Sequence, residues 1–165
     1  MNDISDFLFT ITSVASGQYL TVSPENYPQV GLEIQTQRRL ALPKAGPGDV
    51  PAQCWTLISV DQGVFKIRNV LSSKVLEVRG ASKVDHAVIQ QNTDQGTMNQ
   101  HWVLVLVDDT KPSYVIFSEL SKKVIDVPYP STEDAVTVQQ YARKLRQAAN
   151  QHWILKQTTL HQIEG

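Results

Sequence analysis

The chain has one cysteine, Cys54, among 165 residues, which excludes an internal disulfide and suits a reducing compartment. It has no charge excess: 15 basic side chains against 16 acidic ones leave a net charge of −1. No long-range field therefore draws it to nucleic acid or to an anionic membrane. No apolar run approaches membrane-spanning length, and the opening Met1 to Phe7, MNDISDF, carries two acids where a secretory signal carries a basic stretch and an apolar segment. These absences set the expectation of a cytoplasmic protein without nucleic-acid partner or membrane insertion, released, if at all, by a non-classical route. Enzyme motifs are missing too: there is no Gly-x-Ser-x-Gly, no His-Glu-x-x-His and no phosphate loop. His86, His101, His152 and His161 pair with no His, Cys or acid at metal-ligand spacing. Structural or surface roles are expected for them. No metal, cofactor or catalytic residue is assigned. Cys54 has no base partner, and the acid pairs Asp108-Asp109 and Glu133-Asp134 fall in predicted turns, where carboxylates are usually solvated.

What the chain has is internal repetition, which must be sought before any other signal. Phe9 to Val22 (FTITSVASGQYLTV), Phe65 to Val78 (FKIRNVLSSKVLEV) and Tyr114 to Val127 (YVIFSELSKKVIDV) align without a gap over 14 positions. Apolar residues coincide at Phe9, Phe65 and Tyr114; at Ile11, Ile67 and Ile116; at Leu20, Leu76 and Ile125; and at Val22, Val78 and Val127. A second block follows in each copy: Ile34-Gln35-Thr36-Gln37, Ile89-Gln90-Gln91-Asn92 and Val138-Gln139-Gln140-Tyr141. Each copy then closes on Gln-x-Trp, at Gln53-Cys54-Trp55, Gln100-His101-Trp102 and Gln151-His152-Trp153, and all three tryptophans of the chain sit there.

Each copy reads as four short strands. Alternation such as Phe65 and Ile67 against Lys66 and Arg68 is the half-buried strand pattern. Ser16-Gly17, Ser72-Ser73, Ser121-Lys122 and the Pro-rich 127–131 stretch punctuate the strands. Tyr141 to Asn150 (YARKLRQAAN) has helical propensity but is short and lies where each copy needs a loop, so at most a helical turn is expected. The expected architecture is all-β: one domain over 1–165, with copies at roughly 7–60, 63–107 and 113–157. Twelve strands in three units predict closure with pseudo-threefold symmetry, because closure removes sheet edges and no unit can bury its apolar face alone. A Trp repeated in register is expected in the core, given the area it buries. Gln53, Gln100 and Gln151 are expected to bond nearby backbone or a site carboxylate.

Three copies of roughly 50 residues ending in Gln-x-Trp resemble the ricin-B-type β-trefoil lectins, in particular small fungal cytosolic members. The resemblance covers nearly the whole chain. It implies a β-trefoil fold and a non-enzymatic, carbohydrate-binding role favouring galactose or N-acetylgalactosamine, on glycans, glycoproteins or glycolipids; homodimerisation is left open. It also implies what a binding copy carries: an Asp in the second strand, a Gln 13 residues on, an aromatic two later, and an Asn just before Gln-x-Trp. The chemistry is intelligible. A carboxylate accepts charge-assisted hydrogen bonds from neighbouring sugar hydroxyls, the amide donates and accepts, and the aromatic face takes the C–H side of a pyranose.

The third copy matches every position: Asp126, Gln139, Tyr141, Asn150 and then Gln151-His152-Trp153. Tyr129, between Pro128 and Pro130, is a candidate additional wall. The second copy keeps Gln90 and Asn99 but has Glu77 for Asp and Asn92 for the aromatic. The first has Thr21, Gln37 and Ala52 at the three critical places. One site is expected intact, one degraded and one lost. Changing Asp126 to Asn is expected to abolish binding with little loss of thermal stability. Arg143, Lys144 and Arg146 are expected to rim the third site; they would suit an acidic glycan, although a solvated loop is the plainer reading.

The rival function comes from the same fold. Trefoils also serve as protease inhibitors, and fold alone does not decide function. The first copy's enlarged loop, Gln37 to Ala52, offers Arg38, Arg39 and Lys44 to a trypsin-like pocket and carries stiffening prolines. A glycosidase ranks below both, since no proton-donor and base pair is placed on strand ends.

Overall fold

The computed structural model describes residues 4–41, 48–128 and 133–161. It is all-β: among the described residues the only helical turns are one-turn 3-10 segments, and the helical propensity of 141–150 survives as the single turn Ala149–Gln151. The first copy supplies β1 (Leu8–Ser13), β2 (Tyr19–Thr21), β3 (Gln35–Gln37) and β4 (Trp55–Asp61). The second supplies β5 (Val64–Asn69), β6 (Val75–Val78), β7 (Ile89–Asn92) and β8 (Trp102–Asp108). The third supplies β9 (Ser113–Ser118), β10 (Val124–Asp126), β12 (Gln139–Tyr141) and β13 (Trp153–Thr158), plus a two-residue β11 (Val136–Thr137) that pairs with β3 of the first copy.

Six strands close a barrel. Each copy's first strand meets its own fourth at the aligned aromatic and the tryptophan: Phe9 opposite Trp55, Phe65 opposite Trp102, Tyr114 opposite Trp153. Each fourth strand then runs antiparallel to the first strand of the next copy, as β4–β5, β8–β9 and β13–β1. The ring has no free edge, which removes the aggregation template that an open sheet presents. The remaining strands form three hairpins, β2–β3, β6–β7 and β10–β12.

The hairpins meet on the pseudo-threefold axis. Ile34 N–H donates to Ile89 O at 3.0 Å, Ile89 N–H to Val138 O at 3.1 Å, and Val138 N–H to Ile34 O at 2.9 Å. This triangle joins all three copies by backbone alone, and its three side chains are fully buried. Around it lie the residues that the alignment superposes: Ile11, Ile67 and Ile116; Leu20, Leu76 and Ile125; Val22, Val78 and Val127; and the three tryptophans.

Each indole also satisfies its one polar group. Trp55, Trp102 and Trp153 donate Nε1–H to the carbonyls of Leu20, Leu76 and Ile125 at 3.1, 3.1 and 3.0 Å. Truncating one to Ala would cost about 3–5 kcal/mol through lost area and the cavity left behind. The glutamines before them sit on 3-10 turns, not on strands: Pro51–Gln53, Met98–Gln100 and Ala149–Gln151. The turn swings each Gln side chain inward, back toward its own second strand.

Candidate functional site

The glutamine of every Gln-x-Trp is fully buried and makes the same three contacts. Its Oε1 accepts from a loop N–H after the third strand: Leu40, Gln95 and Lys144 at 3.0, 2.9 and 2.8 Å. Its Nε2 donates to a loop carbonyl, of Arg38, Thr93 or Ala142. The second donation goes to the residue at the end of the second strand, and there the copies differ: Thr21 Oγ1 at 3.1 Å, Glu77 Oε1 at 3.1 Å, Asp126 Oδ2 at 2.9 Å. The triplet thus locks a loop and aims a second-strand side chain in one step.

In the third copy Asp126, 2% exposed, accepts from Gln139 Nε2 at 3.0 Å, Asn150 Nδ2 at 3.2 Å and Gln151 Nε2 at 2.9 Å. A carboxylate has about four lone-pair positions, so a ligand hydroxyl finds an acceptor already oriented by three amides. The same bonds correct the expectation that Asp126→Asn leaves stability unchanged. An Asn would turn an N–H toward buried donors, and an unsatisfied buried group costs about 1–3 kcal/mol. Asn150 gives its second N–H to Val127 O at 2.8 Å, and both it and Gln151 are buried. Their place is behind the carboxylate rather than in front of it.

In front lies a cavity of about 220 Å³ lined by His86, Asp126, Pro128, Gln139, Tyr141 and Lys144. Three of the sequence-assigned residues, Asp126, Gln139 and Tyr141, therefore share one wall, while Tyr129 lies outside the described residues. His86, which the sequence placed as structural or surface, comes from the second copy and completes this site. Its Nδ1 lies 3.2 Å from Gln139 Oε1, and its ring meets Tyr141 edge-on at 5.1 Å. Because Gln139 spends its amide N–H on Asp126, its Oε1 faces His86, so Nδ1 is the donor. His86 has φ of 72°, in the left-handed region. It stands at the position of Gly31 and Ala135 in the other copies, which are left-handed too. That position, three residues before the axial Ile or Val, is the signal by which sequence alone could have found it.

Asp85 holds this junction. Its Oδ1 accepts from Lys123 Nζ at 2.8 Å and from Ala142 N–H at 2.9 Å. The hydrogen bond from the Lys123 ammonium, ahead of the other causes, draws its carboxyl below the usual aspartate value. Lys144 Nζ lies 5.2 Å from the centre of the Tyr141 ring, whereas Arg143 stacks instead over Phe117 at 5.6 Å.

The second copy builds a different object from aligned residues. Glu77, 4% exposed, takes four hydrogen bonds: Gln90 Nε2 at 2.7 Å, Gln100 Nε2 at 3.1 Å and both oxygens to Asn92 Nδ2 at 3.2 and 3.0 Å. Arg79 stands at the position of Pro128 and binds the Gln90 beside Glu77. The guanidinium donates to Gln90 Oε1 at 2.6 Å and to Gly31 O at 3.1 Å, and pairs with Glu33 at 3.5 Å. In the first copy Thr21 Oγ1 turns back to Tyr19 O, and Gln37 bonds Gln35. Larger hollows of about 480, 370 and 350 Å³ occur elsewhere, but no buried carboxylate lines them.

A family model, the ricin-type β-trefoil lectin domain-like, matches residues 51–141, more than half of the chain. The chain belongs to that lectin family. Solved structures agree on the fold. A designed threefold-symmetric protein, ThreeFoil, superposes with a TM-score of 0.78 at 27% identity over 93% of this chain and 99% of its own. An exo-β-1,3-galactanase from Clostridium thermocellum gives 0.79 at 31% identity over 92% of this chain, which spans only 30% of the enzyme. The ricin B-like lectin of Macrolepiota procera, solved with lactose, gives 0.72 at 17% identity over 94% and 98%. No curated protein sequence matches the chain significantly. Of the first-copy loop residues named for the inhibitor reading, Arg38 is exposed. Arg39 is tied down to Asp49 Oδ1 at 3.1 Å and Gly48 O at 2.7 Å, and Lys44 lies outside the described residues.

Proposed function

We propose that the protein is a non-enzymatic lectin with one working sugar site, in the third copy, for a terminal galactose or N-acetylgalactosamine. The observation that carries this is the cavity in which Asp126, Gln139 and Tyr141 meet, against a second copy in which Asn92 bonds the carboxylate and Arg79 binds the Gln90 beside it. Two sugar hydroxyls face Asp126 and Gln139, and the C–H face of the ring lies on Tyr141. Asn150 and Gln151 act from behind by orienting the carboxylate. A cavity below drug-pocket size accommodates one ring and little more. Affinity for a free monosaccharide is therefore near millimolar, about −4 kcal/mol. The partners are glycans of proteins or lipids, and the cytoplasmic placement expected from the sequence stays part of this proposal.

Calorimetric titration with galactose, N-acetylgalactosamine and lactose tests it. The expected result is one site per chain, weakened in Tyr141→Ala and retained unchanged in Asn92→Ala. Binding to none of these sugars, or a site lost with Asn92→Ala and not with Tyr141→Ala, would overturn the reading.

A further inference from the structure

The third-copy cavity has a feature that its counterparts lack. Leu40, Gln95 and Lys144 occupy the same backbone position, each held by the Oε1 of its own Gln-x-Trp glutamine. Only in the third copy is that residue a cation. Its backbone is fixed by Gln151, the group that also fixes Asp126, so the root of the lysine side chain and the carboxylate are held in register through one glutamine. Both line the same cavity. Other lysines near the site are engaged, Lys123 with Asp85 and Lys122 with Glu119. Lys144 is half-buried and has no carboxylate partner among the described residues; its ammonium rests over Tyr141 instead.

That contact is where a sugar ring must lie. A neutral sugar stacked on Tyr141 displaces the ammonium from the ring and offers it no charge in return. A sugar bearing an anionic group gives it a stronger partner than the ring, because charge-assisted hydrogen bonds exceed neutral ones. The anion cannot sit at Asp126, where like charges repel, so the ligand must present hydroxyls to the carboxylate and its acidic group across the ring toward Lys144. We infer that the site's preferred ligand is an acidic galactoside, carrying a carboxylate or a sulfate, and that Lys144 sets this preference. The inference rests on the third-copy sugar site proposed above and adds the ligand class.

Four probes decide it: lactose, sialyl-lactose, a sulfate ester of galactose and methyl galactoside, titrated against wild type and Lys144→Gln at low and high salt. At least one acidic probe should bind about three- to fivefold more tightly than its neutral parent, the range of a partly exposed ion pair. The advantage should shrink at high salt, where screening is stronger, and the ratio of acidic to neutral affinity should fall to about one in Lys144→Gln. The carboxylate and sulfate arms show which acid the site takes. Lactose binding with no gain for either acid, or a gain that Lys144→Gln leaves intact, overturns the inference but spares the sugar site. Failure of all four probes, with N-acetylgalactosamine failing too, overturns the sugar site itself.

Discussion

The second and third copies carry nearly the same polar parts and reach opposite results. Both place a buried carboxylate at the end of the second strand, a Gln 13 residues on and a Gln-x-Trp glutamine behind it. One extra methylene in Glu77 and an amide at Asn92 let the second copy saturate its acid internally, and Arg79 binds the free oxygen of Gln90. The third copy puts Pro128 and Tyr141 at those positions, so no guanidinium binds Gln139 as Arg79 binds Gln90, and no side-chain amide bonds the carboxylate as Asn92 does. Binding capacity is thus an unsatisfied remainder. The same frame becomes a core support where it is fully bonded and a site where one lone pair and one flat apolar face are left over.

The sharpest way to break this comparison is Asp126→Asn. Hydrogen bonds to charged groups contribute roughly 1.5–3 kcal/mol, so lactose affinity should fall about tenfold to a hundredfold. Stability should fall with it, by about 1–3 kcal/mol, because Gln139, Asn150 and Gln151 lose a common acceptor. Glu77→Gln should cost stability similarly and leave lactose binding alone. Urea melts beside titrations read both; an Asp126→Asn protein that keeps lactose binding would move the site elsewhere. Tyr141→Ala separates the two effects. The ring is half-buried at the cavity wall and makes no hydrogen bond to the carboxylate, so affinity should fall about three- to tenfold, the scale of an aromatic contact, with a midpoint in urea close to wild type.

The converse experiment tries to open the second copy. Glu77→Asp with Asn92→Tyr and Arg79→Ala withdraws the carboxylate by one methylene, supplies the ring and removes the guanidinium bound to Gln90. Lactose stoichiometry should rise from one toward two per chain, the new site being the weaker because Gly31 stands where the third site has His86. Unchanged stoichiometry in a folded triple variant would mean that His86 is a required wall, which His86→Gly in the third copy would then show independently.

Much of this was legible because it depends on repetition. The barrel, the axial Ile34, Ile89 and Val138 and the buried tryptophans follow from residues that coincide in all three copies, and a hydrophobic side chain in register has one use. The carboxylate, amide and aromatic of the third copy were readable only through the family resemblance and the spacing it implies; the β10–β12 ladder, with Asp126 opposite Gln139, gives that spacing its physical basis. His86 was not, because it belongs to another copy and reaches the site only through closure of the three hairpins. Arg79 escaped for the same reason, its partners Glu33 and Gly31 lying in the first copy. Which of the site's residues face the ligand and which stand behind also depended on burial, and spacing carries no burial.

The smallest effect concerns a place where the two copies agree. The turn after each first strand needs a left-handed residue: Gly17 at φ 71°, Ser73 at 60° and Lys122 at 61°, each donating its N–H back to the last residue of that strand, Ser13, Asn69 or Ser118. Only the first copy has glycine there. An L-residue in that region costs about 1–2 kcal/mol, and glycine gives back roughly 0.5–1 kcal/mol through the freedom it loses on folding. Ser73→Gly and Lys122→Gly should therefore each stabilise the fold by about 0.5–1 kcal/mol. Both side chains are exposed, and the Lys122–Glu119 pair that the second change removes is a surface pair of little worth. The two turns lie in different copies and share no partner, so the gains should add. Lactose affinity should be unchanged in the double variant, because neither turn touches the cavity. A gain in one copy and a loss in the other would mean that the turns, like the carboxylates, have diverged beneath a common backbone.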